Sequence, residues 1–138
     1  ILEKALKINK IDLNVIDKEG FSPFEAVKRI KIALDHRFGH SRKPIQLVGH
    51  NVAFDLGFMK RLYRLAGQDF HVDFRDRALD SCSILQFLMI SGKVKGFRAS
   101  ADTLFKSAGV EIAENDRHTA MGDALATAKS LDILLDKF

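Results

Sequence analysis

The sequence predicts an α/β domain whose sheet is incomplete. Three observations lead there. Ile45-Gln46-Leu47-Val48 is apolar apart from Gln46, which reads as a strand buried on both faces. Apolar residues at helical spacing dominate the rest of the chain. A strand covered on both faces needs neighbours, yet few other strand candidates are present. The sheet is therefore expected to be truncated on its N-terminal side, leaving a mostly helical C-terminal portion over residues 1–138 as a single domain.

The elements follow in order. Residues 1–20 read as an irregular lead-in, with a short helix over 3–7. Ser22-Pro23-Phe24-Glu25 is a helix start: Ser22 caps, Pro23 suits the first helical position and Glu25 completes a capping box. Phe24, Val27, Ile30, Leu34 and Phe38 then recur at helical spacing, and Gly39 ends the helix. A basic loop, 40–43, leads through Pro44 into the strand at 45–48. The next helix is expected over 54–66, with Asp55, Met59, Leu62 and Ala66 on one stripe and Gly67 as its stop. Residues 68–77 form a polar connection with a short strand around Phe74. A helix over 80–90 follows, then a basic loop bearing Lys93, Lys95 and Arg98 around Gly96. Ser100 caps a short helix that Gly109 closes. The last helix, 119–135, is expected to face the core with Ala124, Leu125, Ala128, Leu131 and Leu135.

A chain of 138 residues is one domain or part of one. No apolar run is long enough to cross a bilayer, and no signal peptide is visible. The single Cys82 reads as a small buried residue in a reducing, cytoplasmic setting. The formal charge of +4 suits a polyanionic partner without requiring one. Eleven Phe residues supply most of the aromatic core, with one or two left to stack on bases.

Two stretches carry chemistry. Gly49-His50-Asn51-Val52-Ala53-Phe54-Asp55 leads from the strand into a helix, and His118-Thr119-Ala120-Met121-Gly122-Asp123 opens the last helix. Hydrolysis of a phosphodiester by two metal ions needs converging carboxylates and a base for the water. Histidine suits the base because its reference pKa of about 6.5 lies near working pH. Asp123 and Asp55 are the candidate metal ligands and His118 the candidate base. Each also has a structural reading: a first-turn Asp complements the helix dipole, Asn51 caps a helix, and His50 is a packed turn residue. Phe54 is either a core anchor or a platform for a terminal base.

Taken together, the His-Asn-x-x-Phe-Asp run after a strand and the His-x-Ala-x-x-Asp-Ala run about sixty residues later resemble the second and third motifs of the DEDD-type 3′–5′ exonucleases of the histidine subclass. The proofreading epsilon subunits of bacterial DNA polymerase III and ribonuclease T belong to this family. Leu79-Asp80 is similar to the pair that opens the family's middle helix, and Asn9-Lys10-Ile11-Asp12 to the lead-in of ribonuclease T. The resemblance implies a ribonuclease-H-like fold and a 3′–5′ exonuclease using Mg²⁺ or Mn²⁺. Asp123 would bind metal directly, Asp55 would assist, and His118 would be the base. Phe54 would pack on the 3′-terminal nucleotide, with Asn51 and His50 beside it. The implied partners are the 3′ end of single-stranded DNA or RNA and a DNA polymerase subunit.

The family's first motif, an Asp-x-Glu on the opening strand, is not matched. Asp17-Lys18-Glu19 stands only about thirty residues before His50, too few for the intervening strands and helix, so it is read as a solvated loop. The alternative function is a nucleic-acid-binding or assembly module without catalysis. The truncated chain is expected to self-associate. Lys93, Lys95 and Arg98 are the better nucleic-acid candidates among the basic loops, and Arg117 touches a phosphate or stands exposed.

Overall fold

The computed structural model describes residues 2–8 and 11–137. Asn9 and Lys10 of the lead-in resemblance lie outside the described residues. The elements run α1 (Leu2–Ile8), α2 (Leu13–Glu19), α3 (Pro23–Phe38), β1 (Val48–Gly49), α4 (Ala53–Leu65), a 3₁₀ turn at Phe70–Val72, β2 (Leu79–Asp80), α5 (Ser81–Ile90), α6 (Ala101–Ala108) and α7 (Ala120–Lys137). β1 and β2 pair as a two-stranded sheet, and Ile45 bridges Phe74 in parallel. The described chain is mostly helical, and it folds as two units: Asn14–Leu47 with Val52–Leu79, and the described residues within Ile1–Leu13, Val48–Asn51 and Asp80–Phe138.

The first of these units is built on α3 and α4. Ser22 starts α3 as its sequence predicts, with its Oγ accepting the Glu25 N–H at 3.2 Å. The Glu25 side chain does not complete the box; it pairs with Arg29 at 3.2 Å. Val27, Tyr63, Phe70 and Phe74 form the core, with Ile30, Leu34, Met59 and Leu62 against it. Edge-on packing of Tyr63 against both Phe70 and Phe74 suits the opposite charge of ring faces and ring edges. Phe24 and Phe38, expected on the buried stripe of α3, are exposed instead.

Arg42, a member of the basic loop 40–43, has its side chain buried in this unit. Its guanidinium pairs with Asp73, a side chain 1% exposed, and with Asp35 at 3.2 Å. The Tyr63 hydroxyl donates to Asp73 at 3.0 Å, and Lys31 stands 3.7 Å away. A buried carboxylate needs such partners because desolvation otherwise expels its charge. Asp73 also anchors the bridge, since its carbonyl accepts the Ile45 N–H at 2.8 Å.

In the second unit α5, α6 and α7 enclose a core of Leu85, Leu88, Leu104, Phe105, Val110, Ala126 and Leu134. Asp80 caps α5 by accepting the Cys82 N–H at 2.9 Å, and Ser100 caps α6 by accepting the Thr103 N–H at 3.2 Å. Gly109 ends α6 at a φ of 68°, a left-handed position that glycine adopts without a Cβ penalty.

Three further expectations are overturned. The 45–48 run is not covered on both faces: Gln46 and Val48 are exposed while Ile45 and Leu47 are half-buried. Residues 13–19 form α2 rather than an irregular lead-in, so Asp17 and Glu19 are helical, exposed side chains and not loop residues. The stripe of α7 is rotated from the one expected. Ala126, Thr127, Ser130, Leu131 and Leu134 are buried, while Leu125 and Leu135 are more than 60% exposed.

Candidate active site

The loop before α7 builds the sharpest feature of the second unit. Thr119 sets the start of the helix: its Oγ accepts the Gly122 N–H at 3.1 Å and donates to the Asp116 carbonyl at 2.7 Å. Gly122 is required there, because a Cβ would stand 2.2 Å from the Asp116 oxygen. His118 takes a left-handed φ of 66°, uncommon outside glycine and a stored cost of order 1 kcal/mol or more. That turn aims the His118 N–H at Asp123 Oδ1, 3.3 Å away. Asp123 lies in the first turn of α7, where the helix dipole favours a carboxylate. The turn thus sets the His118 backbone N–H on Asp123, while the His118 ring Nδ1 lies 3.5 Å from Arg117 Nη1.

Sequence reasoning missed the third member of this group. Arg117 is neither simply exposed nor free for phosphate. Its Nη1 donates to Asp123 Oδ1 at 2.6 Å and its Nη2 to Asp102 at 2.6 Å, over the ring of Phe105 at 5.4 Å. Burial opposes the Arg117 charge, but the hydrogen bonds to the two carboxylates outweigh it and hold the guanidinium pKa above its usual value. Adjacency to His118 is the only signal the sequence offers, since Asp102 comes from a different helix.

The end of β1 is fastened to the start of α5. His50 has both ring nitrogens engaged, with Ser81 Oγ at 2.9 Å and the Ala99 carbonyl at 3.0 Å. Asn51 has a φ of 58°, and its N–H donates to Asp80 Oδ1 at 2.8 Å, so Asp80 caps α5 and holds this turn with one oxygen. Asn51 does not cap α4: that position is Val52, which makes no side-chain cap bond.

Phe54 and Asp55 belong to the other unit, both exposed on the first turn of α4. Phe54 is 64% exposed, its ring 4.8 Å from that of Phe58, itself 61% exposed. Phe54 is therefore not a core anchor in this structure.

Among the described residues no group of three or more His, Cys, Asp or Glu side chains is placed to hold a metal. Asp123 Oδ1 is already taken by Arg117 and the His118 N–H. The described residues do not fit a two-metal centre by themselves.

The exonuclease family model matches residues 25–131 of the chain. A DNA polymerase III subunit epsilon-like protein of Rhodobacter capsulatus is 36% identical over 99 residues. That match covers 72% of this chain and 13% of the relative, so the chain spans a small part of that protein's length. No solved structure matches. Among the described residues no helix is long and apolar enough to cross a membrane.

Proposed function

The chain belongs to the exonuclease family, whose domains have a ribonuclease-H-like α/β fold, and on that premise we propose that it is part of a 3′–5′ exonuclease acting on single-stranded DNA or RNA. The observation that carries the reading is the turn that joins His118 to Asp123 at the start of α7. Domains of this family generally depend on divalent metals. We assign Asp123, with Asp55 assisting, as the carboxylates this chain gives to a Mg²⁺ or Mn²⁺ centre; the other ligands come from outside the described residues. Asp55 lies in a different unit from Asp123, and its role rests on the motif it occupies.

His118 is the base that takes a proton from the attacking water. Its backbone is fixed by the turn, and its ring is exposed with Nδ1 3.5 Å from Arg117 Nη1. Phe54, exposed beside Phe58, stacks on the 3′-terminal base. His50 and Asn51 set the strand-to-helix turn that precedes it. A polymerase partner and a cytoplasmic setting accompany this reading, the former by likeness to the epsilon-like relative.

The test is Asp123→Asn in a chain extended until it degrades a labelled strand with Mg²⁺. Loss of a metal ligand removes charge that stabilises the developing oxyanions, so hydrolysis is expected to be abolished. Near-normal turnover sinks the assignment. One observation favours a second reading, a nucleic-acid-binding or assembly module without catalysis: Arg117 occupies the Asp123 carboxylate with its own positive charge. Under that reading Arg117→Gln does not raise divalent-ion binding.

A further inference from the structure

Arg117 joins two helix starts. Its Nη1 donates to Asp123 Oδ1 at 2.6 Å and its Nη2 to Asp102 Oδ1 at 2.6 Å. Both carboxylates lie in the first turn of a helix, Asp102 in α6 and Asp123 in α7. Helix dipoles oppose a cation at such positions, so the two carboxylates are what hold it there. The Arg117 side chain is 22% exposed, and its guanidinium carbon stands 5.4 Å from the centre of the Phe105 ring. A planar fork spanning two helices over an aromatic face is a more fixed contact than a lone ion pair in open solvent.

The backbone supports the same placement. The Arg117 N–H donates to the Ala113 carbonyl at 3.1 Å, and the Thr119 N–H to the Asp116 carbonyl at 3.1 Å. The chain is therefore tied on both sides of Arg117. Its Nη1 stands against both residues that the exonuclease reading assigns: Asp123, and His118 Nδ1 at 3.5 Å. Asp123 Oδ1 also accepts the His118 N–H, so that oxygen carries two donors. A carboxylate met by an internal cation attracts a second cation less, because the two compete for its oxygen and repel each other. Here the chain departs from a metal centre: a guanidinium takes the cation's place at Asp123.

We propose that Arg117 is a lock on Asp123: anchored on Asp102, its guanidinium occupies the carboxylate and keeps divalent cations from it. The lock is an autoinhibitory contact, and that sense rests on the exonuclease reading of Asp123.

The experiment titrates Mn²⁺ into the chain and reads NMR line broadening at the backbone amides of His118 and Asp123. The amides of Asp17 and Glu19, exposed on α2, give the reference for weak binding at surface carboxylates. A unit charge about 6 Å from a divalent ion in water opposes its binding about tenfold. Arg117→Gln is expected to lower the Mn²⁺ midpoint at His118 and Asp123 about tenfold, with the Asp17 and Glu19 midpoints unchanged. Adding Asp123→Asn to Arg117→Gln is expected to remove that gain. Circular dichroism checks that each variant folds. A second measurement needs no variant. In the unaltered chain, Mg²⁺ that shifts the Asp123 amide is expected to merge the resolved Nη–H signals of Arg117, since one cation leaves as the other arrives.

Equal midpoints in the two chains overturn the lock. A higher midpoint in Arg117→Gln overturns it too, by making Arg117 a support for Asp123. So does a gain that survives Asp123→Asn, or Nη–H signals that stay resolved while Mg²⁺ shifts the Asp123 amide. An Asp123 amide that Mg²⁺ never shifts is the closed lock. Neither titration reads hydrolysis. Cleavage by the extended chain that survives Asp123→Asn overturns the exonuclease reading and leaves the measured lock standing; equal midpoints with cleavage lost in Asp123→Asn overturn the lock alone.

Discussion

Replacing Asp73 with Asn should destabilise the α3–α4 unit by about 3 kcal/mol, the lower end of the 3–5 kcal/mol range for breaking a buried ion pair. Asp73 is 1% exposed and receives Arg42, the Tyr63 hydroxyl and, at 3.7 Å, Lys31. Asn keeps the volume and removes the charge. The Arg42 side chain, 8% exposed, is then left with Asp35, 3.2 Å away and 29% exposed, as its remaining carboxylate. That surviving contact is why the lower end applies. Against a typical total of about 5–15 kcal/mol, the loss is a large share. The protein supplies its own probe: Tyr63 is the sole Tyr and there is no Trp, so tyrosine fluorescence reports this core directly. Urea unfolding followed by that signal and by circular dichroism gives the difference in free energy. Replacing both partners, Arg42→Met with Asp73→Leu, should recover most of the loss, because apolar pairs fill such sites without a desolvation cost. A loss below about 1 kcal/mol for Asp73→Asn, or a double variant no better than the single, refutes the argument that the buried Arg42 charge depends on Asp73.

Three further outcomes are expected. In an extended, active chain His118→Ala should lower kcat about a hundredfold to ten-thousandfold with little change in KM; a loss seen mainly in KM makes His118 a substrate contact instead. Burial, reinforced by the hydrogen bond to Asp73, raises the Tyr63 pKa well above its usual value. Because the folded form holds this proton more tightly, stability should be intact below the unfolded pKa of about 10 and fall as pH rises above it; tyrosinate absorbance appearing well before unfolding contradicts this. Met121, Leu125 and Leu135 of α7 and Val48 of β1 are each more than half exposed, so this chain alone should self-associate, and light scattering from a clean monomer at high concentration sinks that expectation.

What the sequence determined by itself was local. Ser22 and Ser100 each sit within three residues of the N–H they cap, and Gly39 and Gly109 follow the helices they end. Such signals act through the nearest backbone, so they survive any packing. The His118–Asp123 approach is of the same kind, because one turn and five residues make it. The tertiary structure decided everything that depends on which neighbour arrives. The apolar residues of α7 occupy more than one stripe, and periodicity alone did not say that the stripe of Ala126, Ser130 and Leu134 would be covered while Leu125 and Leu135 stayed out. Arg42 reads as a loop charge until Asp73, far along the chain, takes it into the core. Arg117 reads as a neighbour of His118 until Asp102 of α6 and Asp123 of α7 close on it from two helices. Charges are assigned partners by the folded chain, since the energy of an ion pair depends on burial and distance, and neither is written in the order of residues.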